Sequence, residues 1–138
     1  MSKICTSLEQ SNKLIELGID PKTADIFCAD VFDKEKETHS YNFHILSTWG
    51  CNTFEELKDR ENKFVHFIPA WSLSALLELV PNGEKNDENY VDTESHSDFY
   101  ICTYRNCWDG CIHSEYSEEN LFDAVFGMIC WLKENKKI

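Results

Sequence analysis

The residues best equipped for chemistry lie in one short stretch, Cys102-x4-Cys107-x3-Cys111-x-His113. Thiolates and imidazoles are the donors that tetrahedral zinc prefers, but structural zinc sites use cysteines about two to four residues apart with a second ligand pair elsewhere. Here Asp109-Gly110 reads as a two-residue hairpin turn. With that turn Trp108 pairs with Cys111, so Cys102 and Cys111 share one face of the ribbon and Cys107 points to the other. Three ligands on two faces do not close a tetrahedron. We therefore expect buried or half-buried free thiols, no metal and no other cofactor.

The same register lines Tyr100, Cys102, Tyr104, Asn106 and Trp108 up against Cys111, His113 and Glu115. Aromatic bodies with polar tips suit a ligand that both stacks and hydrogen-bonds. His113 and Glu115, two apart on one strand, would point the same way and resemble an acid–base pair. A Cys107 or Cys111 thiol beside His113 would resemble a nucleophilic dyad. Neither has a third group to orient it, and ordinary surface accounts for both, so no catalytic residue is assigned. His39, His44, His66 and His96 show no ligand spacing. The five glycines are scattered, the nearest two being Gly110 and Gly127. A phosphate-cradling loop needs clustered glycines for close backbone approach, so a P-loop, a dinucleotide fingerprint and a glycine-flanked nucleophile elbow are all excluded.

The elements that must position these residues read as follows. Ser7-Leu8-Glu9-Gln10 has the form of a capping box, and Gly18 supplies the stop of the first helix. Asp20-Pro21 opens a short second helix filled by Ala24, Ile26, Phe27 and Ala29. Residues 33–38 form a charged turn, and 38–46 alternates like a strand with Tyr41, Phe43 and Ile45 on one face. Thr53 caps a short helix through Arg60, and 64–68 is briefly extended. Pro69 and Pro81 bracket an apolar core helix with Trp71 near its start. The acid-rich stretch 82–98 is an exposed connection with an edge strand near Tyr90-Val91. Strands follow at 99–105 and 112–116. The last helix carries Leu121, Phe122, Val125, Phe126, Met128, Ile129 and Leu132 on one stripe, opposite Asp123, Gly127, Cys130 and Glu134. No repeat or linker splits the chain. We expect a single domain over 1–138 of α+β class: a small antiparallel sheet of about three to four strands packed against several helices, closed by the C-terminal amphipathic helix.

Thirteen basic residues face 25 acidic ones among 138, a net charge of −12. The densest basic group, Lys133 with Lys136-Lys137, sits where cations complement a helix C-terminus. Direct binding to nucleic acid or to an anionic membrane is not expected, since both need a basic stripe. Seven cysteines, an odd number, and no apolar signal segment in residues 1–6 point to a reducing cytoplasm. No apolar run is long enough to span a bilayer.

Four segments in this order, Ser7-Leu8-Glu9-Gln10-Ser11, Ile68-Pro69-Ala70-Trp71-Ser72-Leu73-Ser74-Ala75-Leu76-Leu77-Glu78-Leu79, Tyr100-Ile101-Cys102-Thr103-Tyr104-Arg105 and Met128-Ile129-Cys130-Trp131-Leu132-Lys133-Glu134-Asn135, resemble a group of small, functionally uncharacterised proteins of gut anaerobes and their phages or mobile elements. The resemblance spans most of the chain and concerns core segments. It implies a shared fold and brings no catalytic residue with it.

That setting implies a non-enzymatic binding protein, such as a counter-defence factor that sequesters a small, nucleotide-like anion between the hairpin and the 69–80 helix. Trp71, Tyr104, Arg105, Trp108 and His113 are the expected ligand residues, with the Arg105 guanidinium meeting the anionic group. Arg105 falls on the strand face opposite Tyr104 and Trp108, which a single pocket must reconcile through an edge or an oligomer interface. The alternative is an acidic inhibitor or adaptor whose 84–98 acids occupy a basic site on a host protein, imitating nucleic acid. A third reading is an enzyme acting through His113 and Glu115.

Overall fold

The computed structural model describes residues 4–83 and 88–138. The start of the segment read for a signal peptide (1–3) and part of the acid-rich connection (84–87) lie outside the described residues. The chain divides into two compact units, residues 1–75 and 76–138, and the division falls inside the short helix Leu73–Glu78. The fold is α+β. The strands form two three-stranded antiparallel sheets, one in each unit, where the sequence suggested a single one.

The first unit opens with α1 (Leu8–Glu16), and its capping box forms as read: Ser7 Oγ accepts from Gln10 N and the Gln10 side chain accepts from Ser7 N, both at 3.1 Å. Gly18 takes a positive φ of 90° just beyond the helix end, which only glycine adopts without strain. Asp20-Pro21 starts only a 3-10 turn, Pro21–Thr23. The expected second helix over 24–29 is instead strand β1 (Ile26–Asp33). The reason lies in β1's position between β2 (Thr38–Ile45) and β3 (Val65–Ala70). Residues 26–29 are buried on both faces, so the alternation that marks a half-buried strand is missing and a continuous apolar run remains.

Pro69 lies in β3, opposite Phe27, so the proline-bracketed helix is much shorter than 69–81. Phe32 N bonds to Phe64 O at 2.8 Å, which makes even-numbered β1 residues the bonded partners of β3. Phe27↔Pro69 is therefore a non-bonded pair on an edge strand, where a missing N–H costs the ladder nothing. A residue before proline also avoids the helical region, which holds Ile68 extended. The helix, α2 (Leu73–Glu78), starts only after Ser72 Oγ accepts from Ala75 N.

One sheet face of this unit is packed by the 3-10 segments Leu46–Trp49 and Phe54–Arg60, which bury Leu46, Phe54 and Leu57 against Phe27, Ala29 and Phe67. Thr53 makes no side-chain cap. Glu56 instead reaches back to Asn52 N at 2.6 Å. On the other face a buried polar network ties the N-terminal segment to the start of α2. Thr6 N donates to Trp71 O (2.9 Å), Trp71 N donates to Thr6 Oγ1 (3.0 Å), and Thr6 Oγ1 meets Ser11 Oγ (2.7 Å). Asp25 accepts from both Ser72 N and Ser72 Oγ. Every partner here is satisfied, which makes buried polar groups tolerable.

The second unit places β5 (Tyr100–Asn106) between β4 (Asn89–Ser95) and β6 (Ile112–Glu118), and α3 (Leu121–Glu134) lies on β5 and β6. Asn120 caps α3 by accepting from Asp123 N at 2.8 Å. Phe122, Val125, Met128, Ile129 and Leu132 are buried as the stripe predicts. Gly127, assigned by pattern to the opposite face, instead abuts the Tyr116 ring. Cys102, fully buried, has its thiol pushed up to about 12, first by burial and then by the charge of Asp92. Below the ordinary thiol value of 9 the native state loses nothing. Above it the unfolded chain sheds a proton that the folded chain keeps, so stability should fall by about 1.4 kcal/mol per pH unit. Urea titrations at a series of alkaline pH values should show stability falling less steeply in Cys102→Ala than in the parent chain, by about this slope; Cys28 and Tyr116, also raised by burial, add to both.

Candidate functional site

The β5–β6 connection decides what the hairpin residues can do. Asp109-Gly110 does not form a two-residue turn. Asn106 N donates to Cys111 O (2.9 Å), leaving four residues between this bonded pair. The Asn106 side-chain oxygen accepts from Trp108 N (2.8 Å) and Asp109 N (3.2 Å), and Gly110 takes a φ of 72°. The same device closes the β1–β2 hairpin: Asp33 Oδ1 accepts from Glu35 N and Lys36 N, and Glu37 takes a φ of 53°. In both, an Asx side chain wraps a longer loop that ends in a left-handed residue.

The longer loop shifts the register. Tyr104 pairs with Ser114 and Thr103 with Glu115, and a bulge follows at Tyr104/Arg105. Glu115 therefore belongs to the face opposite Tyr104, and the pattern that set His113 and Glu115 side by side is lost. The bulge turns His113 back toward Tyr104, with ring centroids 5.7 Å apart. Tyr104 also meets Trp131 of α3, with ring centroids 5.9 Å apart.

Around these three rings lies a concave site of about 330 Å³ lined by Asn89, Tyr104, His113, Trp131, Asn135 and Lys137. Tyr104 is buried, Trp131 half-buried and His113 exposed. Asn89 Oδ1 accepts from Asn106 Nδ2 at 3.4 Å and stands 3.1 Å from His113 Nε2. An acceptor oxygen requires the proton on His113 Nε2, so the neutral ring presents Nδ1 as an acceptor. Lys137 is brought to the rim by the end of α3. Lys136 adopts a φ of 57°, Lys136 N donates to Lys133 O and Lys137 N to Leu132 O, a Schellman closure made without glycine. Asn135 Nδ2 is taken up by Trp131 O at 2.8 Å.

Of the five expected ligand residues, the structure brings Tyr104 and His113 together. Arg105 lies on the opposite face, its guanidinium donating to Thr103 Oγ1 at 3.2–3.3 Å. Trp108 stands 88% exposed in the loop. Trp71 is fully buried in the first unit, its indole N–H donating to Thr23 Oγ1 at 2.9 Å. Asn89, Trp131, Asn135 and Lys137 were not singled out as ligand residues. The signal was present: Trp131 and Asn135 are four apart on one helix, so they share a face, and Lys137 follows them. Cys107 and Cys111 are exposed while Cys102 is buried. Among the described residues no group of three or more His, Cys, Asp or Glu is gathered for a metal ion, and no helix is long and apolar enough to cross a membrane.

The fold and site together define an α+β protein with a small aromatic-lined concavity beside the end of α3, where Lys137 lines it. No family model, curated protein or solved structure matches this chain.

Proposed function

We propose that this chain is a non-enzymatic binding protein for a small anion with one planar ring, of the nucleotide type, held in the second unit. The observation that supports this is the Tyr104 ring in contact with both His113 and Trp131, with Lys137 lining the same concavity. Trp131 and His113 supply stacking over the buried Tyr104, Lys137 supplies the charge, and His113 Nδ1 with the Asn89 amide supplies polar recognition. A volume of about 330 Å³ is at the small end for ligand sites and suits one ring system. Arg105 and Trp108 fall outside this group, so Lys137 takes the role first expected of Arg105. The resemblance to proteins of gut anaerobes and their phages or mobile elements supports a counter-defence role, in which the chain sequesters such a signal in the cytoplasm.

Nucleoside monophosphates are the probes. In a background with Trp49→Phe and Trp108→Phe, which leaves Trp131 beside the site and Trp71 buried, quenching of tryptophan fluorescence should report saturable binding. Lys137→Ala should weaken it about tenfold, the scale of one lost charge-assisted bond. No quenching or heat with any nucleoside monophosphate would remove the proposal.

A second reading rests on the net charge of −12 and the acids Asp92, Glu94, Glu115 and Glu118 on the outer strands of the second sheet. These suit an inhibitor or adaptor that covers a basic site on a host protein. Salt separates the two readings: an acidic decoy loses affinity steeply as ionic strength rises, and a stacking site loses little.

A further inference from the structure

The roles of the polar atoms around the concavity are fixed by groups that can act in only one way. Backbone N–H groups only donate, and two of them, from Trp108 and Asp109, meet the same atom of the Asn106 side chain, which is therefore its oxygen Oδ1. The other end of that amide is Nδ2, which donates to Asn89 at 3.4 Å. The Asn89 atom that receives it is Oδ1, and His113 Nε2, 3.1 Å from the same oxygen, carries the proton. The β5–β6 loop thus orients two amides and one imidazole in series. Asn106 itself does not line the concavity.

This relay decides what is left for a ligand. Asn89 keeps Nδ2, a donor, and His113 keeps Nδ1, an acceptor. Asn135 is fixed by another route. Its Nδ2 donates to Trp131 O at 2.8 Å, a carbonyl that only accepts, which leaves Oδ1 as its acceptor. Lys137 adds a cation, and the Tyr104 hydroxyl serves in either role. A ring that settles on Trp131 and His113 displaces water from these atoms. An acceptor that then receives no proton costs affinity, which is how hydrogen-bonding sites reject close analogues.

Resting on the reading of this concavity as a nucleotide-type site, we infer that its ligand carries an amino-substituted ring, as in adenine or cytosine, and that Asn106 sets this preference from outside the site. One exocyclic amino group brings two hydrogens, one for His113 Nδ1 and one for Asn135 Oδ1, and the ring nitrogen beside it accepts from Asn89 Nδ2. An oxo group in the same place sets an oxygen against two acceptors, and the single ring N–H of uracil or hypoxanthine meets only one of them. Asn106→Asp reverses the pattern. The carboxylate still accepts from Trp108 N and Asp109 N, but its second oxygen repels Asn89 Oδ1. The Asn89 amide then turns over and presents Nδ2 to the carboxylate and to His113. His113 Nε2 must accept, which moves the proton to Nδ1 and makes a donor of what was an acceptor.

Calorimetric titration of the full chain at about pH 8, where imidazole is neutral, compares adenosine with inosine monophosphate and cytidine with uridine monophosphate. Each pair differs by amino against oxo. The amino members should bind about tenfold tighter, and Asn106→Asp should abolish the preference. Imidazole nitrogen NMR spectra of the unliganded chain give an independent readout. His113 should carry its proton on Nε2 in the parent and on Nδ1 in Asn106→Asp, a change that loosening of the loop alone does not produce. Far-UV circular dichroism checks that the variant is folded, and if it is not, the parent affinities and the parent tautomer decide. Failure of every one of these nucleotides to bind removes the reading of the site and this inference with it. Amino and oxo members binding alike, a parent His113 protonated on Nδ1, or a folded Asn106→Asp that keeps the preference overturns this inference and leaves the site standing.

Discussion

Replacing Trp71 by alanine should destabilise the protein by about 3–5 kcal/mol, read as a shift in the urea midpoint followed by circular dichroism. Trp71 heads the largest fully buried side chains, and truncating it opens a cavity the size of an indole. The loss does not stop at packing. Trp71 N and O exchange hydrogen bonds with Thr6, and its indole N–H donates to Thr23 Oγ1. These contacts pin the segment before α1 and the turn Pro21–Thr23 onto the end of β3. Trp71→Phe keeps most of the bulk and the backbone bonds, and should cost less, about 1–3 kcal/mol. Thr6→Val tests the backbone bond separately. It leaves a buried Trp71 N–H without its acceptor, which costs about 1–3 kcal/mol. If Trp71 served as a ligand platform instead, both Trp71 variants would hold their urea midpoint and lose only binding.

The second large effect has a sign that depends on a neighbour. Gly127 lies in the interior of α3, where alanine is ordinarily better by about 1 kcal/mol. Here a Cβ would come within 2.9 Å of Tyr116 Cδ1 and 3.3 Å of Cε1. Those atoms are in the body of a ring packed under the helix, so either Tyr116 or α3 must move. We expect Gly127→Ala to destabilise by about 1–3 kcal/mol, the usual cost of overpacking. In a Tyr116→Ala background the obstacle is gone and the same substitution should stabilise by about 1 kcal/mol. A double-mutant cycle by urea unfolding measures both. Equal effects of Gly127→Ala in the two backgrounds would show that the close approach does not govern this glycine.

Local chemistry was readable along the chain wherever it acts over a few residues. The Ser7–Gln10 capping box, the Gly18 stop, the strand at 38–45 and the apolar stripe of α3 all follow from side chains that reach no further than one turn or one pleat. β1 was not readable for the opposite reason. A strand buried on both faces loses its alternation, and only the presence of β2 and β3 on either side tells Phe27 and Ala29 from helical residues. The shortened α2 has a related cause. Pro69 suits a helix start in isolation, and only the edge position of β3 makes it a strand residue.

The candidate site shows the same division. The residue types that build it, Tyr104, His113, Trp131 and Lys137, are determined by the chain alone, as is the charge of −12. Which of them meet was decided by tertiary structure. Asn106 wraps a four-residue loop where Asp109-Gly110 suggested two, the register moves, and a bulge at Tyr104/Arg105 returns His113 to the aromatic face while sending Glu115 away. A one-residue change in register inverts every side chain of a strand. Sequence patterning carries no information finer than that period, and only the closed hydrogen-bond ladder supplies it.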